Sequence, residues 1–177
     1  MTDAPGGRSY TVVGAGAVGL LYGSRLAAAG HPVRWSVRSG ADELRRHGVE
    51  VRTEGRTLRI DPDDVVVATE GGELPPSDVV LLATKTTANH LLADLVGAAC
   101  APGSTVVVLQ NGLGAEERVR AEVPDAGPVL GGLCFACAHR SAPGRAEHLD
   151  YGTEALAAML GFLDGRATVD RPPGEQR

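Results

Sequence analysis

Residues 11–30 read TVVGAGAVGLLYGSRLAAAG, and no other stretch limits the fold of this chain so strongly. An apolar run stops at Gly14-Ala15-Gly16-Ala17-Val18-Gly19, and small and apolar residues at helical spacing then continue to Gly30. The pattern predicts a strand over residues 10–13, a tight turn, a helix over 17–29 and a glycine cap. Residues 32–38 (PVRWSVR) supply a second strand. Strand, helix and strand together make a βαβ unit of roughly thirty residues, the length a parallel crossover needs.

In a G-x-G-x-x-G turn the first glycine lets the chain reverse, the second lets backbone approach a pyrophosphate, and the third lets helix and strand pack closely. Gly14, Gly16 and Gly19 occupy those places. A phosphate would sit at the helix N-terminus near Ala17, where unpaired N–H groups and the positive dipole end favour an anion. The plainer reading is a purely structural turn in a chain with 24 glycines. Its position between an apolar strand and a helix favours dinucleotide binding. About twenty residues past the turn, where an NAD-binding chain usually carries Asp or Glu against the ribose 2′-hydroxyl, stands Arg38. A guanidinium pairs with a 2′-phosphate through a fork of donors and a carboxylate repels it, so NADP(H) is the expected cofactor. The alternative is that Arg38 is a solvated surface residue.

Downstream, a short helix is expected over 41–47, and VEVRT (49–53) and TLRI (57–60) flank Glu54-Gly55-Arg56 as a hairpin. VVVAT (65–69) reads as a further strand. DVVLLAT (78–84) and STVVVLQ (104–110) lack alternation and so read as central parallel strands buried on both faces. A helix is expected between them over 86–100, another charged one over 115–122, and a strand over 128–139; residues 146–158 fit either hairpin or helix. The expected class is α/β, a doubly wound, mostly parallel Rossmann-type sheet. Its expected organisation is a flexible N-terminus over 1–8, one dinucleotide-binding domain over 9–164 and a polar, Pro-rich disordered tail over 165–177.

In a doubly wound sheet the ligand lies beyond the carboxyl ends of the strands, so polar residues directly after apolar runs are the candidates. Thr84-Lys85-Thr86 closes one run and Gln110-Asn111-Gly112 the other. Lys85 suits contact with cofactor or an anionic substrate, Asn111 suits hydrogen bonds to both, and Gly112 and Gly114 permit close backbone approach. Each also reads as an ordinary helix-start or turn residue.

GAGAVGLLYGSRLAAAGHPV, the Arg38 ending WSVR, LLATKT, LQNGLG and GGLCFACAHRSAPGRAEHLDYG follow one another in an order and spacing that resembles the ketopantoate reductase (2-dehydropantoate 2-reductase) family over about residues 9–160. The resemblance implies NADPH-dependent reduction of the 2-keto group of 2-dehydropantoate to pantoate, on the way to pantothenate and coenzyme A. It implies cofactor contacts from Gly14, Ala15, Gly16, Ala17, Val18, Gly19, Arg38, Thr84, Lys85, Asn111, Gly112 and Ala138, with Lys85 and Asn111 in supporting catalytic roles. The family's principal proton-donating lysine and a substrate-binding glutamate belong to a C-terminal helical domain. No residue here matches that lysine, and Lys85 is the only lysine in the chain. The expectation is therefore a cofactor-binding domain that is inactive or very weak alone. The alternatives are a stand-alone NADP-binding or dimerising module and the Rossmann domain of a reductase for another 2-keto acid.

Composition narrows the partners. A formal charge of −5 and 3% aromatic residues oppose a nucleic-acid surface, which needs clustered cations and stacking platforms. The apolar runs fall well short of the ~20 residues that span a bilayer. Three cysteines and a start without an apolar leader point to the cytoplasm. No metal is expected: Cys134 and Cys137 lack a second ligand pair and are placed on opposite faces of a strand. His90 is expected to be a solvated or packing residue and His148 a hydrogen-bonded structural one. The expected partners are thus NADPH and, with the helical domain supplied, a small 2-keto acid; a homodimer is left open.

Overall fold

The computed structural model describes residues 7–53, 55–69 and 72–150. The expected tail over 165–177 and the first six residues of the expected flexible N-terminus lie outside those described residues.

The first strand, β1 (Tyr10–Val13), is buried at every position, and the glycine turn delivers the chain directly into α1 (Ala17–Ala28). β2 (Val33–Val37) follows, then α2 (Ala41–His47) and the hairpin of β3 (Val49–Thr53) and β4 (Arg56–Ile60). After β5 (Val66–Thr69) come β6 (Ser77–Leu82) and β7 (Cys100–Val108), joined through a 3₁₀ turn over Thr86–Leu91 and α3 (Leu92–Gly97). The described chain ends with α4 (Ala115–Glu122), β8 (Val129–Gly131), β9 (Cys137–Ala142) and β10 (Arg145–Asp150).

Six strands form one parallel sheet in the order β5-β2-β1-β6-β7-β8. Numbered by their own succession these are 3-2-1-4-5-6, the order of dinucleotide-binding sheets, and the order reverses between β1 and β6. The uninterrupted apolar runs form its centre: Val12, Val80, Leu81, Leu82 and Val106 are wholly buried, as residues covered on both faces must be. At the N-terminal ends of the strands a buried polar knot ties the sheet together. Ser77 Oγ lies 2.8 Å from Thr11 Oγ1 and accepts from Arg34 at 3.0 Å, while Ser104 Oγ donates to the Ser77 carbonyl at 2.7 Å. The opposite, carboxyl ends carry the site.

A second sheet, β4-β3-β10-β9, takes the expected hairpin and adds two strands from the far end of the described chain. Helix α1 lies between the two sheets, which explains why Gly19, Leu20, Leu21, Tyr22, Gly23, Ser24 and Leu26 are all buried. It has little room: a methyl on Gly23 would stand 2.9 Å from Cζ2 of Trp35 on β2.

Two elements depart from the sequence reading, and one that it left open is settled in part. The helix expected over 86–100 is a 3₁₀ turn and only six residues of α-helix, and β7 already begins at Cys100. Thr86, Thr87, Asn89 and His90 are poor helix formers, and the Asn89 side chain is held by Gln110. The single strand expected over 128–139 is two strands in two sheets, because the chain turns away at Gly132, where a Cβ would lie 2.6 Å from Leu109 Cδ2. Cys134 therefore precedes the strand that Cys137 opens, and the two cysteines share no strand. Of residues 146–158, left open between hairpin and helix, 146–150 belong to β10, which pairs antiparallel with β9, and the rest lie outside the described residues. Among the described residues no helix is long and apolar enough to cross a membrane.

Candidate functional site

The glycine turn is built by backbone requirements that only glycine meets. Gly14 has φ +100°, and a Cβ there would stand 2.8 Å from Thr84 Cγ2. Gly14 N donates to the Ser36 carbonyl at 2.8 Å, extending the β1–β2 ladder into the turn. A methyl on Gly19 would overlap the Gly14 carbonyl oxygen, so Gly19 sets the closeness of turn and helix. Gly16 differs from both: its φ of −78° suits any residue, yet a Cβ there would meet nothing within 4 Å. The space above it is open.

That space is a cleft of about 600 Å³ at the carboxyl ends of β1, β2 and β6. Gly14–Ala17, Ser36–Ser39, Ala83–Lys85 and the 3₁₀ turn form one side, and Ala138, His139 and Arg140 of β9 contribute from the second sheet. Gly16 caps α1 without any side-chain hydrogen bond, which leaves first-turn N–H groups without a side-chain partner at the cleft. Lys85, Arg38 and Arg140 are exposed, and among the described residues none has a carboxylate partner. Among the described residues no Asp or Glu lines the cleft, although the chain carries a net charge of −5. Free helix N–H groups, three unneutralised cations and a cradle that a Cβ would invade fit an elongated polyanion such as a dinucleotide.

Gln110 sets the shape of the β6 side. From the end of β7 its Nε2 donates to Thr84 Oγ1 at 3.0 Å and to Asn89 Oδ1 at 2.8 Å, joining the strand end to the 3₁₀ turn beside Lys85. The sequence marked the Gln110-Asn111-Gly112 run but gave this role to no residue in it.

Of the residues selected from sequence, Gly14, Ala15, Gly16, Ala17, Arg38, Thr84, Lys85 and Ala138 line the cleft together. Val18 and Gly19 lie one step inside the helix. Asn111 and Gly112 do not line it: both are exposed on the loop after β7, where Gly112 has φ +114°. Arg140, His139 and Ser39 line the cleft without having been selected. Ser39 simply follows Arg38, whereas His139 and Arg140 arrive with β9, folded back from far along the described chain, which no local pattern announces.

The other flagged residues fall elsewhere. His148 is 8% exposed, its Nδ1 3.5 Å from Arg25 Nη2 at the α1–β10 contact. His90 is exposed. Cys134 packs on the buried Tyr22, and burial pushes its thiol above the ordinary range. Among the described residues no group of three or more His, Cys, Asp or Glu is placed to hold a metal ion.

The family model described as Ketopantoate reductase PanE/ApbA matches residues 10–161. A 2-dehydropantoate 2-reductase from Nostoc sp. is 37% identical over 164 residues, which are 93% of this chain and 50% of the relative. The crystal structure of 2-dehydropantoate 2-reductase from Methylococcus capsulatus is 32% identical with a TM-score of 0.71 over 81% of this chain and 46% of its own. A D-mandelate dehydrogenase solved with NADH and anilino(oxo)acetate is 21% identical and shares the fold, with a TM-score of 0.71 over 89% of this chain and 54% of its own. The chain thus spans about half the length of the relatives it matches. With the family's fold, strand order and glycine turn in one polypeptide, the chain belongs to the ketopantoate reductase PanE/ApbA family, as its N-terminal, Rossmann-type domain.

Proposed function

We propose that this chain is the NADP(H)-binding half of a cytoplasmic NADPH-dependent reductase that converts 2-dehydropantoate to pantoate. The observation that carries the reading is the cleft over the N-terminus of α1, where the helix has no side-chain cap bond; the cleft holds Arg38, Lys85 and Arg140 and, among the described residues, no carboxylate in an acidic chain. When bound, the reduced nicotinamide supplies a hydride. The chain's own residues bind and orient. Gly14 and Gly16 let backbone approach the pyrophosphate, and the first-turn N–H groups of α1 hold its charge. Arg38, at the end of β2, takes the 2′-phosphate. Lys85 faces cofactor and substrate, Ala138 keeps the nicotinamide side small and apolar, and Asn111, on the exposed loop after β7, stands outside the cleft and takes no part in the reading.

Substrate reduction also needs a proton donor within hydrogen-bond reach of the carbonyl oxygen. The family resemblance puts that lysine in a helical domain beyond the matched half. General acid catalysis contributes ~10²- to 10⁴-fold, so this chain taken alone holds reductant with little turnover.

The test is titration of the purified chain with NADPH and NADH, followed by nucleotide fluorescence. A charge-assisted bond of roughly 1.5 to 3 kcal/mol corresponds to about ten- to a hundredfold preference for NADPH, and Arg38→Ala is expected to erase it. Equal affinity for the two nucleotides, or a preference untouched by Arg38→Ala, would overturn the NADP assignment. Joined to a helical half and assayed with ketopantoate beside other 2-keto acids, the chain would reveal the substrate.

A further inference from the structure

The second sheet brings to the cleft a cation, Arg140, that the sequence did not single out as a site residue. β9 and β10 pair antiparallel, with Ala138 opposite His148 and Arg140 opposite Ala146. Ala146 and His148 are buried, so their cross-strand partners Ala138 and Arg140 stand on the inward face of the sheet. Between them His139 pairs across the strands with Glu147, its Nε2 3.7 Å from that carboxylate. The β9–β10 turn closes against the loop that follows β2: a methyl on Gly40 would stand 3.3 Å from Pro143 Cβ. Ser39 and Gly40 directly follow Arg38, so this contact ties the end of β2 to the β9–β10 turn, and Arg140 and Arg38 line the same cleft.

Three arginines of this sheet share one carboxylate, and Arg140 does not. Arg52, Arg59 and Arg145 all reach Glu50, at 3.3, 3.1 and 3.7 Å, and hold its carboxyl below the usual carboxylate range. Arg140 has no carboxylate and no side-chain hydrogen bond among the described residues, and neither has Arg38. Two guanidinium groups without counter-charge lining one cleft match a phosphate monoester, which carries close to two negative charges at neutral pH and presents three acceptor oxygens.

We propose that Arg140 is a specificity-determining residue that shares the 2′-phosphate of an NADP-type dinucleotide with Arg38, from the opposite wall of the cleft. The proposal rests on the dinucleotide reading given above. It assigns discrimination between NADPH and NADH to two walls in place of the single strand-end position that the sequence pattern marks.

The experiment titrates the wild-type chain, Arg140→Ala and Arg140→Lys with NADPH and with NADH, and displaces bound NADPH with adenosine 2′,5′-bisphosphate or 5′-AMP. Loss of one charge-assisted contact predicts NADPH and the bisphosphate weakened about tenfold or more by Arg140→Ala, with NADH and 5′-AMP within about twofold and partial rescue by Arg140→Lys. Equal weakening of NADPH and NADH would overturn the proposal, because Arg140 would then grip a part common to both. Unchanged affinity for both would overturn it as well. A wild-type chain that prefers neither nucleotide fails the NADP reading at the first titration, and the proposal with it; a failure confined to the variants leaves that reading standing. Circular dichroism melting of each variant separates binding loss from unfolding, and the lysine variant, which preserves charge and length, serves if the alanine variant does not fold.

Discussion

Substituting alanine at Gly16 and at Gly19, three residues apart in one turn, is expected to damage different properties. At Gly16 the backbone is already in a region open to every residue, and an added methyl meets no atom within 4 Å. Alanine there restricts the unfolded chain, which stabilises by roughly 0.4–1 kcal/mol, and is a poorer N-cap than glycine, which offsets a similar amount. The net change in stability is expected within about 1 kcal/mol of zero. The same methyl fills the space above the N-terminus of α1, and a ligand pushed off that position loses charge-assisted bonds to backbone N–H groups at roughly 1.5–3 kcal/mol each. Gly16→Ala should therefore fold normally and bind NADPH about ten- to a hundredfold more weakly.

At Gly19 the methyl collides with the Gly14 carbonyl, a backbone atom that moves only if the whole turn moves. Overpacking of this kind costs typically 1–3 kcal/mol and more when backbone must shift. In a chain of this size each kcal/mol lowers the melting temperature by about 2–4 °C, so Gly19→Ala should melt roughly 6 °C or more below wild type. Paired circular dichroism melts and NADPH titrations make the comparison. A Gly16→Ala chain with wild-type NADPH affinity would refute the reasoning, because the open space over Gly16 would then be no part of the binding site.

Two further outcomes follow from named contacts. Gln110→Ala removes the donor shared by Thr84 Oγ1 and Asn89 Oδ1, at a cost of about 1–3 kcal/mol. Its thermal melt should fall by several degrees and its NADPH affinity should drop with it, since Thr84 and Lys85 line the cleft; a wild-type melt would show that the bridge bears no strain. At the other end of the sheet, the N–H and hydroxyl of Ser9 each donate to Asp78 Oδ2 at 2.7 Å and hold its carboxyl below the usual range. Lowered in the folded state, this group stabilises above its unfolded pKa of about 3.9 and loses that contribution as pH falls through the folded value. Solvent screening keeps the effect to about 1 kcal/mol or less. Asp78→Asn should melt slightly lower at pH 7, with the gap closing below about pH 4; a constant gap from pH 7 to 3 would assign the effect to something other than ionisation.

The legible parts of this fold are those in which local pattern and tertiary environment agree. The run ending at Val13, the glycines at 14, 16 and 19 and the helix to Ala28 are written within one short stretch, because each step there is decided by backbone freedom and by burial on both faces. Leu81 and Val107 lie in unbroken apolar runs for the same reason, and their strands emerged within a few residues of their observed bounds. The segment between them was misread because small and apolar residues such as Ala88, Leu91 and Leu92 imitate a helix face. Its conformation is decided by a hydrogen bond from Gln110, about twenty residues further along the chain. The β9 wall of the site shares that dependence on distant chain. Arg38 was readable because strand ends in this topology have a known address, but Arg140 follows a run of glycine, cysteine and alanine that carries no period. Its place in the cleft comes from β10 pairing parallel to β3, a contact across almost one hundred residues of sequence. A solvated surface arginine and a ligand-binding one have the same local sequence. What separates them here is the neighbour each lacks: Arg145 has Glu50, and Arg140 has an open cleft.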